Sequence, residues 1–237
     1  MKEYIIIISI VLIFSLCLTV GIDKTKENII SAVSHNQSQP SSAVIILDAG
    51  HGGEDSGAVA EPDIYEKDIN LKITNCISLY FDIFGIDYIL IRSDDSSVGD
   101  TSLPTIRERK VSDIRKRYDI INSFPNSVLL SIHQNYFPVQ KYNGTQVFFA
   151  PDDEKSEILA GIIQSEIKNS LQPDNNRKIK KSDNSIFLLN KAKRPSVLVE
   201  CGFMSNKNEL ELLQNTEYQS KISYFITTSV LNYLLST

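Results

Sequence analysis

From residue 43 onward, short apolar runs alternate with longer stretches whose apolar residues recur at helical spacing. The runs are Ala43–Leu47, Tyr88–Ile91, Ser127–Ile132, Thr145–Phe149 and Ser196–Val199. Runs of this length, bounded by turn residues, read as buried strands. Between the first two, Ile69, Ile73, Ile77, Phe81 and Phe84 mark a helix, and Gly85 suits its C-terminal stop. Ile106, Val111, Ile114, Tyr118 and Ile121 mark a second helix. Ile158, Leu159, Ile162, Ile163, Ile167 and Leu171 mark a third, opened by Asp152, Asp153 and Glu154 at the positive end of its dipole. Tyr218, Ile222, Phe225, Ile226, Val230 and Leu234 mark a C-terminal helix. Such alternation predicts a single α/β domain over 43–237, a mostly parallel sheet with helices on both faces.

The rest of the chain is of another kind. Tyr4 to Ile22 carries no charge, with Lys2 before it and Asp23 and Lys24 after it. About nineteen residues at ~1.5 Å each span most of a ~30 Å hydrocarbon core. Residues 1–22 therefore read as a signal peptide or an N-terminal membrane anchor, and the lack of an Ala-x-Ala site favours the anchor. Leu16 before Cys17 does not suit lipidation. Either way the remainder lies outside the cytoplasm. Residues 23–42 are polar and rich in Ser, Asn and Gln, and read as a linker. The net charge of −5 speaks against a nucleic-acid partner. The three cysteines, Cys17, Cys76 and Cys201, show neither metal-binding spacing nor a disulfide framework.

Three of the apolar runs end in ionisable residues. Val44–Leu47 leads to Asp48 and His51, Val128–Ile132 leads to His133, and Ser196–Val199 leads to Glu200. In a parallel sheet the carboxyl ends of the strands share one edge, so these groups can converge. Gly50, Gly52 and Gly53 keep the backbone around His51 thin. Gly-His-Gly-Gly lacks the spacing of a phosphate-binding loop. Two imidazoles and a carboxylate suit zinc, which in catalytic sites keeps one position open. The third ligand is sought in Glu66, because the helix it opens begins on the same edge as His51; the other reading is a helix-start charge favoured by the dipole. Glu200 is either a salt-bridged strand-end acid or a base working beside the metal. Asp48 is a candidate for accepting the second N–H of His51, and Asn135 for a similar role or a substrate contact. The basic residues of the second helix, Arg107 to Arg117, read mostly as a solvated face.

Taken together, the stretches Ile45–Ala58, Glu66–Leu71, Arg109–Asn122, Ser131–Asn135 and Pro195–Asn206 resemble the zinc-dependent N-acetylmuramoyl-L-alanine amidases of bacterial cell-wall metabolism, and within them the spore-cortex, germination-specific branch. The resemblance covers the chain from about residue 43 to its end. It implies one Zn²⁺ held by His51, Glu66 and His133, Glu200 as the catalytic acid/base, and a sheet of about six strands. It implies cleavage of the amide between N-acetylmuramic acid and L-alanine in peptidoglycan, serving formation of muramic-δ-lactam in the spore cortex and hence germination. The partners it implies are glycan strands with their stem peptides and an exported accessory protein. The location would be the intermembrane space of the developing spore, with the membrane met through residues 4–22 if these are retained. Other readings are a different zinc peptidase or carboxypeptidase of the wall, or a catalytically silent wall- or protein-binding domain. Two departures from the family pattern are Ala49, where proline is usual, and Cys201, where valine is common. Neither replaces a reacting group.

Overall fold

The computed structural model describes residues 43–236. The expected N-terminal segment 1–22 and linker 23–42 lie outside the described residues. In chain order the elements are β1 (Val44–Ala49), β2 (Val59–Ala60), β3 (Ile64–Tyr65), α1 (Glu66–Phe84), β4 (Tyr88–Leu90), α2 (Ile106–Asn122), β5 (Ser127–Asn135) and β6 (Gln146–Phe149). They continue with α3 (Glu154–Ser170), β7 (Lys180–Lys181), α4 (Phe187–Lys191), β8 (Ser196–Phe203), α5 (Lys207–Gln214) and α6 (Thr216–Ser236). Six strands form one sheet in the order β4-β1-β5-β8-β6-β7. All neighbours are parallel except β6 and β8. β2 and β3 make a separate antiparallel ribbon. The expected α/β class with a six-stranded, mostly parallel sheet is what the chain adopts.

Strand alternation sends successive side chains to opposite faces. Ile45, Leu47, Val128, Leu130, Ile132, Val197 and Val199 join the apolar faces of α1, α3 and α6 in the larger core. Ile46, Leu129 and Leu198 point the other way, into a smaller cluster with Ile121 of α2 and Leu189 of α4. Long helices thus seal one face. On the other, Asp48, Ser131, His133 and Glu200 follow Ile46, Leu129 and Leu198 in alternation, so the apolar cluster gives way to polar side chains toward the carboxyl end.

The structure lengthens two predicted strands. β5 continues to Asn135 and β8 to Phe203, so His133 and Glu200 sit within paired strand rather than beyond its end, directly opposite each other in the ladder. Backbone pairing does not require apolar side chains, and an apolar run therefore underestimates a strand that enters a polar site. Besides the β2–β3 ribbon, three short elements are not expected from the sequence. β7 is two lysines, held as an edge by pairing with Phe148 and Phe149. α4 has five residues. α5 is started by Asn206, whose side chain accepts from the backbone N–H groups of Asn208 and Glu209.

α1 begins at Glu66, one turn before the apolar pattern does. Its N-cap, Tyr65, offers no side-chain cap. Instead the first free N–H groups are met by backbone: Glu66 N donates to Ala58 O at 2.9 Å and Lys67 N to Ser56 O at 3.1 Å. The Glu66 side chain is left free to turn toward the sheet edge.

Candidate metal centre

His51, Glu66 and His133 come together at the carboxyl edge of the sheet. Glu66 stands between the two rings. Its Oε2 is 3.2 Å from His51 Nε2 and its Oε1 is 3.0 Å from His133 Nδ1. Backbone donors fix this carboxylate: Ala58 N donates to Oε2 at 2.9 Å and Gln134 N to Oε1 at 3.1 Å. Asn70, one helical turn on, donates to Oε1 at 3.3 Å and to Gly50 O at 3.1 Å. One nitrogen from each ring and one carboxylate oxygen lie within 4.8 Å of one another, a set able to hold a single metal ion.

Close approach at this point explains the glycines. His51 itself has φ +63°, a left-handed conformation that the adjacent turn imposes. A Cβ at Gly50 would overlap the His133 ring. At Gly57, with φ +65°, it would lie 2.6 Å from Glu66 Oε2 and from His51 Cδ2.

The electrostatics of the three groups fit a cation. Burial works against a charged imidazole, yet the Asp55 and Glu66 carboxylates outweigh it and raise His51 to about 9. Burial would also raise Glu66, but His133 and His51 hold it far below the usual carboxylate range. Positive charge is stabilised here, and the nitrogen and oxygen donors are of the type zinc takes. His133→Ala removes one donor of three and should lower bound zinc steeply while the domain stays folded. Metal content by elemental analysis checks this; unchanged zinc would strike His133 from the set.

Glu200 faces the same edge from β8. Its Oε2 is buried and has no hydrogen-bond partner among the described residues. Burial pushes its carboxyl up to about 7, against the opposing pull of His133 and with the Glu66 carboxylate adding to the rise. The salt-bridged alternative for Glu200 is therefore not what the fold provides. His51, His133 and Glu200 open onto a cleft of about 340 Å³ between the sheet and helices α2 and α4, walled on its apolar side by Ile114, Phe187 and Leu198.

Two expectations about neighbours need correcting. The acid that accepts from His51 is Asp55, with Nδ1 and Oδ2 2.8 Å apart, not Asp48. Asp48 is turned to the α2 side of the sheet, where it pairs with Arg117 and accepts from Ser131 Oγ at 2.7 Å. Among the described residues the ring contacts of the two histidines are to Asp55 and Glu66, and Asn135 makes none with them. Nor is the basic helix wholly a solvated face. Arg117 is 3% exposed. Besides Asp48 it pairs with Asp113 at 2.6 Å, and it donates to Ala49 O at 3.0 Å and His51 O at 2.6 Å. Lys110 reaches Asp55 at 2.7 Å and Arg109 reaches Glu54 at 2.6 Å, so the helix grips the His51 loop along its length. Arg92, which no pattern in the chain singles out, grips it from the other side. It is buried and donates to Ala49 O, Gly50 O and Lys67 O.

A His/Glu/His donor set on a sheet edge, with an unpaired carboxyl beside it, is the arrangement of a metal-dependent hydrolase. The chain belongs to the Amidase_3 family of N-acetylmuramoyl-L-alanine amidases, which it matches over residues 45–232. It is 34% identical to the germination-specific N-acetylmuramoyl-L-alanine amidase of Bacillus subtilis over 193 residues, 81% of this chain and 80% of that protein. Among solved structures it is similar to the CwlD amidase of Clostridioides difficile in complex with the GerS lipoprotein, at 40% identity and a TM-score of 0.79, covering 82% of this chain and all of that one. It is also similar to the amidase AmiC2 of Nostoc punctiforme, at 25% identity and a TM-score of 0.68, covering 83% of this chain and 99% of that one.

Proposed function

We propose that this protein hydrolyses the amide between the lactyl group of N-acetylmuramic acid and L-alanine in peptidoglycan, with one zinc ion held by His51, Glu66 and His133. The observation that carries this reading is the half-buried Glu200 carboxyl, its Oε2 buried and unpaired, raised to about 7 beside the donor set. The ion, when bound, supplies Lewis acidity at the scissile carbonyl and at the attacking water. Asp55 holds the His51 imidazole in place through its Nδ1. Glu200 takes the proton of the attacking water on its free oxygen. It returns that proton to the alanine nitrogen as the C–N bond breaks, because an amine leaves poorly without it. A carboxyl whose affinity for a proton is raised to near neutrality suits both halves of this transfer.

The germination-specific relative and the likeness to CwlD support a narrower role, removal of stem peptides from the spore cortex ahead of muramic-δ-lactam formation. The likeness to a structure solved with a lipoprotein supports an exported accessory partner for this chain as well. Among the described residues no helix is long and apolar enough to cross a membrane. The reading places the domain outside the cytoplasm, in the intermembrane space of the developing spore, with residues 4–22 as anchor or signal.

Digestion of purified peptidoglycan tests the reaction. With zinc, the protein should release intact stem peptides that begin with L-alanine, seen by mass spectrometry, and a chelator should stop the release. Fragments cut within the stem would instead mark a peptidase. Loss of the gene should abolish muramic-δ-lactam from the cortex, and normal lactam would refute the spore role.

A further inference from the structure

Beside Glu200, on the same face of the sheet, stand side chains that the chemistry above does not use. Gln146 of β6 lies opposite Glu200 in the antiparallel ladder, so the two side chains share one face. Further along, β8 gains a residue on β5: His133 pairs with Glu200, but Asn135 pairs with Phe203. Two steps on one strand answer three on the other. Simple alternation would put Phe203 on the face opposite Glu200, and the irregularity returns it to the same side.

Arg177, in the loop between α3 and β7, lies across this pair. Its guanidinium carbon is 4.8 Å from the centre of the Phe203 ring, and Nη2 donates to Gln146 Oε1 at 2.5 Å. Its charge has no counter-charge in contact: among the described residues it makes no ion pair, and its Nε is buried without an acceptor. The acids within electrostatic range are Glu209 and Glu200. Glu209 is taken up by the backbone N–H groups of Gly144 and Phe203. The guanidinium therefore lies over the Phe203 ring, partly desolvated and without a counter-charge in contact, on the sheet face that carries Glu200. Desolvating a cation without a partner is unfavourable, and a ligand carboxylate would relieve it.

We propose that Arg177 anchors the stem peptide by a carboxylate, the free carboxyl of an acidic residue that follows L-alanine. The proposal rests on the amidase reading and on its direction. Glu200 delivers a proton to the alanine nitrogen, so the departing peptide leaves on the Glu200 side, and Arg177 is joined to that side through Gln146, the ladder neighbour of Glu200. The carboxylate of the next residue then supplies the counter-charge that Arg177 lacks. The planar fork of arginine offers it two parallel hydrogen bonds, which a lysine cannot.

The test uses the full, zinc-loaded chain and two peptidoglycans that differ only in the second stem residue, D-glutamate or its amidated form. The wild type should favour the free-acid polymer by about 10- to 100-fold in kcat/KM, chiefly through KM. Arg177→Ala should lose that preference, and Arg177→Lys should regain only part of it, with zinc content and the pH–rate profile unaltered. A wild type indifferent to amidation would overturn the anchoring role. So would an Arg177→Ala variant that loses equal activity on both polymers or shifts the pH–rate profile on both, since Arg177 would then act through Glu200 or the fold. A zinc-loaded wild type that releases no stem peptide from either polymer would overturn the amidase reading, and the anchor with it.

Discussion

Glu200→Gln should abolish most turnover while leaving the fold and the metal in place. The expected loss in kcat is ~10²–10⁴-fold, the range that a positioned acid/base supplies. Glutamine has the same shape but can neither take nor return the proton. Stability should not suffer, because Glu200 contributes a charge that burial disfavours and that nothing pairs. The melting temperature should hold or rise. Zinc content should match the wild type, since Glu200 is not among the proposed donors His51, Glu66 and His133. A Glu200→Gln protein that still strips stem peptides at near the wild-type rate would refute the assignment.

Arg117→Ala should have the largest effect on stability. It strands Asp48, which is 1% exposed, without its cation. Breaking one side of a buried ion pair costs ~3–5 kcal/mol. For a domain of this size that is roughly 6–20 °C in melting temperature. The loop also loses the two bonds from Arg117 to Ala49 O and His51 O, so zinc affinity should fall as well. A double variant, Asp48→Asn with Arg117→Met, should recover most of the stability but not the zinc affinity, because its apolar side chain cannot hold the loop. Equal recovery of both would show that the arginine merely balances charge. The pair also sets an acid limit. Burial would raise Asp48, but Arg117, Ser131 and His133 bring it below its ordinary value of 3.8. Its stabilising contribution is complete above that value and is lost as pH falls through the depressed one. Chemical denaturation at several pH values, with and without Asp48→Asn, checks the sign.

The contrast between Glu200 and Arg117 shows what a sequence of this kind discloses. His51, His133 and Glu200 were legible because each follows an apolar run, and a parallel sheet gathers the ends of such runs at one edge. Glu66 was legible from its place at the head of a crossover helix. Arg117 was hidden in a run of charges. A signal existed: Arg117 and Ile121 stand at i and i+4 on one helix face, and both are buried. The partner of His51 was misassigned because proximity in sequence does not show which way a strand residue points. Asp48 belongs to the alternation that carries Ile46, and it faces α2. The seating of Arg177 on Phe203 depends on the extra residue in β8, which leaves no trace in the apolar pattern. β7 and α4 are held by what they pack against rather than by their own residues.

The two faces of the sheet make different demands on one strand. Along β5, Val128, Leu130 and Ile132 meet the long helices, while Ser131 and His133 meet the cleft. Neighbouring residues there answer to separate surroundings, one the packed helices and the other the polar site. On the cleft face His133 and Glu200 are tied to the reaction and Ser131 to the buried Asp48–Arg117 pair, so a change there is felt in turnover or in the grip on the His51 loop, while a change at the intervening positions is felt in the packing of the long helices.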